Sequence, residues 1–208
     1  MLVQDIKDWK EIFNGQTNWI YEATYNGKKV CIKLYKNIKL YNHELKTCKI
    51  LSGSPNFPIL IGKIITDSNY YLVFEWIENI DTLENFLQNN NQIFDRKKII
   101  DKLLYILNSL HNKGIYHGDF KAKNILVVNK NAPKLALIDF DYSRKLTKKN
   151  RKKEYIRLLL IILQVYQNKE YSEICNMDLK DILKEISTIH DNDNEFLENV
   201  IIYLQVNK

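Results

Sequence analysis

His117-Gly118-Asp119-Phe120-Lys121-Ala122-Lys123-Asn124 is the stretch that decides how this chain reads, and Asp139-Phe140-Asp141 begins fifteen residues after Asn124. The first stretch mixes turn-forming and charged residues, so it reads as a loop. Asp139 closes the apolar run from Leu135 to Ile138. An Asp and an Asn five positions apart on a loop, with another Asp at a strand end, can hold metal-bound phosphates beside a hydroxyl nucleophile. Phosphoryl transfer asks for those parts: a carboxylate to orient the attacking hydroxyl, and oxygen ligands for Mg²⁺. His-Gly-Asp alone says little, because Gly and Asp are common turn residues. The spacing to Asn124 and Asp139 carries the signal.

Upstream of the loop, Asp95 can cap a helix whose Ile99, Ile100, Leu103, Leu104, Leu107 and Leu110 form one apolar face. Asp81 can cap a shorter helix with Glu84 at the capping-box position. Before these the chain is strand-rich. Trp19 to Tyr25 and Lys29 to Tyr35 flank Asn26-Gly27, a strong tight-turn pair, so they read as a hairpin. In its second arm Val30, Ile32 and Leu34 alternate against Cys31, Lys33 and Tyr35. Leu40, Leu45, Cys48 and Leu51 recur at helical spacing over residues 38–51, and Ser52-Gly53-Ser54-Pro55 ends that helix. Strands are predicted from Ile59 to Ile65 and from Tyr70 to Ile77. After the loop, Ile125–Val128 and Leu135–Ile138 read as short strands around the turn Asn129 to Pro133. The end is helical: Tyr155 to Tyr166, then Leu179, Ile182, Leu183 and Ile186, then Phe196, Leu197, Val200, Ile201 and Leu204. The expected class is α+β, with residues 1–77 as a β-rich lobe and 78–208 as a mainly helical one. A crevice between unlike lobes is a natural ligand site.

Composition narrows the setting. The chain has 208 residues, 45% of them hydrophobic, which suits a globular fold. Cys31, Cys48 and Cys175 make no CxxC pair, which suits reduced thiols in a cytoplasmic compartment. The N-terminal residues lack a basic region followed by an apolar core, so no signal peptide is expected. The most apolar run, Leu158 to Leu163, is far short of the ~20 residues that span a bilayer. A net charge of +6 favours anionic partners such as nucleic acid, phospholipid or a phosphorylated glycan, or simply keeps the surface soluble. Contact with the inner face of a membrane fits the same charge.

The two motifs resemble the protein-kinase-like superfamily, whose signature is H-R-D-L-x-x-x-N followed by D-F-G. The resemblance extends over most of the chain and implies a bilobal kinase fold that uses ATP and Mg²⁺. It implies Asp119 as the base or substrate-orienting residue, Lys121 as the group that neutralises the γ-phosphate, and Asn124 and Asp139 as metal ligands. Lys33, in Val30-Cys31-Ile32-Lys33, matches the Lys of V-A-I-K, which meets the phosphates and pairs with a Glu on the next helix. Glu44 is the only acidic residue between Lys33 and Asp67. Phe74-Glu75-Trp76-Ile77 matches the hinge, where backbone at Glu75 and Ile77 would meet adenine; for the Trp76 indole, plain core packing is expected. Gly15, in Asn14-Gly15-Gln16-Thr17-Asn18-Trp19, is what remains of the glycine-rich loop. Side chains of Gln16, Thr17 and Asn18 would then replace missing backbone contacts.

The departures are as informative. Gly118 replaces the Arg that pairs with a phosphorylated activation loop, so switching by loop phosphorylation is not expected. Asp141 replaces the Gly of D-F-G, as an added metal ligand or a turn cap. No A-P-E follows, and about a dozen residues separate Asp141 from the apolar helix. This shortened activation segment resembles minimal kinases: the lipopolysaccharide Kdo/heptose kinases, the RIO-type kinases and the small kinase associated with tRNA threonylcarbamoylation. It implies a sugar of a lipopolysaccharide-like glycan as acceptor, ahead of serine or threonine in a protein, with an inactive kinase-like binding module as the reading of another class. Seven of the ten residues from Arg144 to Lys153 are basic, which is either a solvated, mobile face or a surface that steers an anionic glycolipid, protein or RNA-associated acceptor.

Overall fold

The computed structural model describes residues 3–15, 18–78, 80–89, 95–128, 134–167, 171–174 and 177–189, with Ile202. Gln16, Thr17, the turn 129–133, Cys175 and the apolar set 196–201 and 204 lie outside the described residues.

The N-terminal part is one antiparallel sheet. Its strands are β1 (Ile6–Asn14), β2 (Asn18–Tyr25), β3 (Lys28–Tyr35), β4 (Leu60–Ile65) and β5 (Tyr70–Glu75), in the order β1-β2-β3-β5-β4. The β2–β3 hairpin turns at Asn26-Gly27 with φ of 50° and 72°, and it pairs Tyr25 with Lys28. Positive φ at both turn residues matches the twist of the flanking strands. β1 is absent from the sequence reading. It carries one buried residue, Ile6; the rest is exposed, Trp9, Ile12 and Phe13 included, with bulges between Lys7 and Lys10 and between Glu11 and Phe13.

β3 is central and covered on both faces, which a simple in–out alternation does not describe. Val30 and Ile32 pack with Ile6, Ala23, Ile64 and Val73 in a small cluster. Cys31 and Tyr35 pack the opposite way, into the large core. Lys33 shares that second face and is only 5% exposed. A lysine placed there is inside the protein.

α1 (Ile38–Leu51) lies between β3 and β4 in the chain and is capped by Asn37, whose side chain accepts from the Lys39 N–H. Its buried face is Tyr41, Glu44, Thr47, Cys48 and Leu51. Leu40 and Leu45, expected to lead that face, are only partly buried.

The remainder is mainly helical: β6 (Ile80–Thr82), α2 (Leu83–Asn89), α3 (Arg96–Asn112), β7 (Ile115–Tyr116), a 3-10 turn at Ala122–Asn124, β8 (Ile125–Val128), β9 (Lys134–Leu137), β10 (Arg144–Lys145), α4 (Lys148–Gln167), α5 (Tyr171–Ile174) and α6 (Leu179–Ile189). Asp95 caps α3 as expected, accepting from the Lys98 N–H. The α2 cap is Thr82, whose Oγ1 accepts from the Asn85 N–H, whereas Asp81 accepts from Thr82. β6 occupies Asp81, so the helix starts one residue later than the capping-box reading placed it.

The basic run is ordered: Arg144 and Lys145 form β10 against β7, and the rest opens α4. Thr147 and Asn150 cap that helix reciprocally, each accepting the other's N–H. From Leu158 to Leu163 α4 is buried all round, the helix expected from its apolar run. Among the described residues no helix is long and apolar enough to cross a membrane.

One core joins the two parts. Phe57, after α1, meets Phe140 edge-on with ring centroids 5.9 Å apart. The Asn56 carbonyl accepts the Leu137 N–H, and its amide donates to the Leu135 carbonyl. β9 is thereby fixed against the sheet end, and Asp139 beyond it is carried to Lys33.

Candidate active site

Lys33 is the hub. Its Nζ lies 2.7 Å from Glu44 Oε2, contacts Asp139 Oδ1 directly, and lies 3.9 Å from Asp141 Oδ2. Burial opposes its charge, but the carboxylates of Glu44, Asp139 and Asp141 outweigh burial and hold the ammonium well above the usual lysine range. Tyr35, read from sequence only as a strand residue, donates to Glu44 Oε2 at 2.5 Å. That bond and Lys33 together fix the Glu44 carboxylate, which is 2% exposed.

Asp139 takes φ of 70°, a left-handed backbone that non-glycine residues seldom adopt. Such strain concentrates at functional sites. Burial raises its carboxyl, but Lys33 prevails and holds it below the ordinary value. Asp141 goes the other way: burial, then the charges of Asp139 and Glu44, push it up to about 7 despite Lys33. Its Oδ2 accepts from the Asn18 amide at 3.3 Å, so the start of β2 is tied to the D-F-D motif.

Glu44, Asp139 and Asp141 bring carboxylate oxygens within 4.8 Å of one another. Lys33 already serves as a cation among them. Asp141 Oδ1 remains buried without a hydrogen-bond partner among the described residues. Carboxylate and amide oxygens are the donors Mg²⁺ prefers. The carboxylates of Asp139 and Asp141 are donors of that kind.

The loop builds the second half. Asp119 Oδ2 lies 2.6 Å from Lys121 Nζ and accepts from Asn124 Nδ2 at 3.0 Å. Asn124 also donates to the Asp119 carbonyl, which leaves its amide oxygen for another partner. His117 is fully buried and neutral: its Nδ1 accepts the Asp119 N–H and its Nε2 donates to the Ile138 carbonyl. Burial lowers its pKa, and the Asp119 N–H requires an unprotonated Nδ1.

Two residues that hold this loop escape a reading by motif. Glu154, on α4, accepts the N–H of His117 at 2.8 Å and of Gly118 at 3.2 Å on Oε1, while its Oε2 bonds His111 Nε2. Arg157, one turn on, donates to the Gly118 carbonyl and lies 3.9 Å from Asp119 Oδ1. The available signal was a lone Glu and a lone Arg beside an apolar helical run.

Gly118 has a steric reason. Its φ is 91°, and a Cβ there would stand 2.4 Å from the Tyr142 carbonyl oxygen. The backbone after D-F-D occupies the space a side chain needs.

Other expected positions are placed less centrally. Gly15 sits in the β1–β2 turn, donating to the Asn18 carbonyl; a Cβ would approach Phe13 Cε1 at 2.7 Å and the Asn18 carbonyl oxygen at 3.1 Å. Glu75 ends β5 exposed, and its N–H donates to the Ile59 carbonyl, so a backbone contact from it to a base must use the carbonyl. Ile77 is half-buried just beyond. Trp76 is half-buried outside the core clusters, with Lys29 Nζ 5.5 Å from its ring centroid, because it stands at the sheet end rather than beneath the sheet.

Comparison with known proteins agrees with this geometry. The chain is 26% identical over 132 residues to "Serine/threonine-protein kinase 1" of African swine fever virus, covering 63% of this chain and 44% of the relative. It is 26% identical over 163 residues to "Probable serine/threonine-protein kinase YbdM" of Bacillus subtilis, covering 72% of this chain and 62% of the relative. The chain thus spans roughly half the length of the curated relatives it matches. The solved structure of the Cydia pomonella Granulovirus kinase, PK-1, superposes with a TM-score of 0.74 at 18% identity, over 99% of this chain and 90% of that one, and so shares the fold. The family model for the protein kinase domain matches residues 7–159, and the chain belongs to the protein kinase family.

Proposed function

We propose that this protein transfers the γ-phosphate of ATP to a serine or threonine hydroxyl of a protein. The observation that carries the reading is Lys33, buried between Glu44 of α1 and Asp139 of the D-F-D motif. In this reading residues 1–77 and 78–208 form the lobes that close on the nucleotide. Lys33 holds the phosphates, Glu44 holds Lys33, and Gly15 lets the β1–β2 turn come close. Backbone at Glu75 and Ile77 receives the base. Asn124 and Asp139, with Asp141, would hold Mg²⁺, which supplies charge neutralisation on the phosphates when bound.

Asp119 orients the attacking hydroxyl by accepting its hydrogen bond. Lys121, in contact with Asp119, is placed to balance charge that develops on the transferred group. The relatives named as serine/threonine-protein kinases and the position of Lys121 support a protein acceptor. The glycan acceptor, suggested by the short segment, is the weaker reading, since those relatives carry the other substrate class in their names. The joined set Lys33, Glu44, Asp119, Asn124 and Asp139 argues against an inactive binding module.

Radiolabelled ATP with Mg²⁺, offered to casein, myelin basic protein and a lipopolysaccharide-core glycan, tests the reading. Label should appear on serine or threonine. Asp119→Ala should lose about 10²-fold or more of turnover, the share of a positioned acid–base group, while keeping fold and nucleotide binding. Label on the glycan alone would overturn the acceptor. An Asp119→Ala protein with more than about a tenth of the activity would overturn the assignment of Asp119.

A further inference from the structure

Kinases depend on the inward position of the helix that carries the glutamate, and many set it by phosphorylating the activation loop. Here the loop is short and Gly118 offers no cation to a phosphate. Yet Glu44 is drawn fully in. Contacts within the chain hold α1, and among the described residues two hydrogen bonds that cross from α1 to the segment after D-F-D converge on one residue.

That residue is Ser143, four positions beyond Asp139. Its hydroxyl shares a hydrogen bond of 2.6 Å with Thr47 Oγ1. Its carbonyl accepts from His43 Nδ1 at 3.1 Å. His43 and Thr47 flank Glu44 on α1, the first adjacent to it and the second nearly one turn on. Ser143 is itself fixed from below, since its N–H donates to the Phe140 carbonyl and β10 starts at the next residue. Ser143 and Thr47 are 4% and 6% exposed, so water cannot replace the bond without opening the contact. We propose that Ser143 is the positioning residue that latches α1 inward, so that the Lys33–Glu44 pair forms without a phosphorylated loop. The inference rests on Lys33 and Glu44 being the nucleotide-holding pair.

Losing the hydroxyl on either side leaves the other buried and unpaired, which costs more than the bond itself gains. The latch and simple packing make opposite demands at Thr47. Thr47→Val keeps the shape and removes the hydroxyl; Thr47→Ser keeps the hydroxyl and removes a methyl.

The experiment measures amide hydrogen exchange over residues 38–51 in the full chain, with and without Mg²⁺-ATP, beside the ATP KM and the Tm. Thr47→Val and Ser143→Ala should each speed α1 exchange, and raise the ATP KM, by on the order of tenfold, the effect of one buried hydrogen bond. Thr47→Ser should stay near wild type. The double variant Thr47→Val/Ser143→Ala should be no worse than either single one, because both remove the same bond. The latch is wrong if Thr47→Ser is as impaired as Thr47→Val. It is also wrong if Tm falls in Thr47→Val while α1 exchange stays at the wild-type rate. A wild type that turns over no ATP would refute the enzyme reading instead, and the exchange rates would still decide the latch.

Discussion

Restoring the family's arginine at position 118 should damage this protein, and the size of the damage can be worked from its backbone. Gly118 has φ of 91°, and any Cβ would lie 2.4 Å from the Tyr142 carbonyl oxygen and 3.0 Å from the Tyr142 carbonyl carbon. The left-handed backbone costs a non-glycine residue about 1–2 kcal/mol. Forcing a group into filled space adds typically 1–3 kcal/mol. Gly118→Ala should therefore lose roughly 2–5 kcal/mol, and Gly118→Arg at least as much, because the clash is already complete at Cβ. For a chain of this size each kcal/mol is about 2–4 °C, so Tm should fall by roughly 4–20 °C. Gly27 supplies the control: its φ is 72°, but a Cβ there meets nothing within 4 Å. Gly27→Ala carries only the backbone cost, about 1–2 kcal/mol. Urea unfolding followed by circular dichroism compares the two. If Gly118→Ala unfolds at the same midpoint as Gly27→Ala, the Tyr142 backbone is not what requires glycine.

Three further outcomes are expected. Glu154→Ala strands the amides of His117 and Gly118 and takes a partner from buried His111, so it should cost roughly 3 kcal/mol or more in denaturant unfolding, at about 1–3 kcal/mol for each buried group left unsatisfied. Burial depresses the His117 pKa below 6.5, so the unfolded chain takes up the proton first; its contribution to stability is present above 6.5 and fades as pH falls from there through the folded value. Asp141, pushed up to about 7, contributes the opposite slope over the same range, so the check is the difference in Tm between wild type and His117→Gln, which should narrow from pH 8 to pH 5. Neutralising Lys149, Arg151 and Lys153 on the first turns of α4 should raise the KM for an anionic acceptor and weaken its salt dependence, with ATP KM unchanged, since exposed charges act over a Debye length of ~8 Å. Identical acceptor kinetics at low salt would leave the run as a solvated helix start.

Legibility in the sequence followed the range of the interaction. The hairpin, α1, α3 and the candidate residues on the loop depend on neighbours a few positions away, and local pattern was enough for them. β1 was illegible because only Ile6 of its apolar residues is buried: Trp9 packs edge-on against Tyr21 and Tyr71, and Ile12 and Phe13 are exposed. The α2 cap moved from Asp81 to Thr82 through a strand pairing with β8 that no local rule encodes. Glu154, Arg157, Tyr35 and Ser143 were missed for one reason: each is defined by a partner on another element, and none is unusual where it stands in the chain. Motif reading found the groups proposed to meet the nucleotide and passed over those that hold them still.

Phe140 bears on which small molecules could occupy the cleft. Its ring is fully buried between His117, 4.8 Å away by centroids, and Phe57. Four residues later the chain is fastened to β7, and Leu146 N–H is bonded to the Gly114 carbonyl. A compound that reaches behind the nucleotide by swinging this ring outward must first strip that fastening, the Ser143 bonds and the Asn18–Asp141 contact together. Inhibitors that fill only the adenine end need disturb none of them. Ligand screens against this protein should therefore return flat, front-occupying chemotypes, and long compounds built for a displaced phenylalanine should bind no better than their front halves alone.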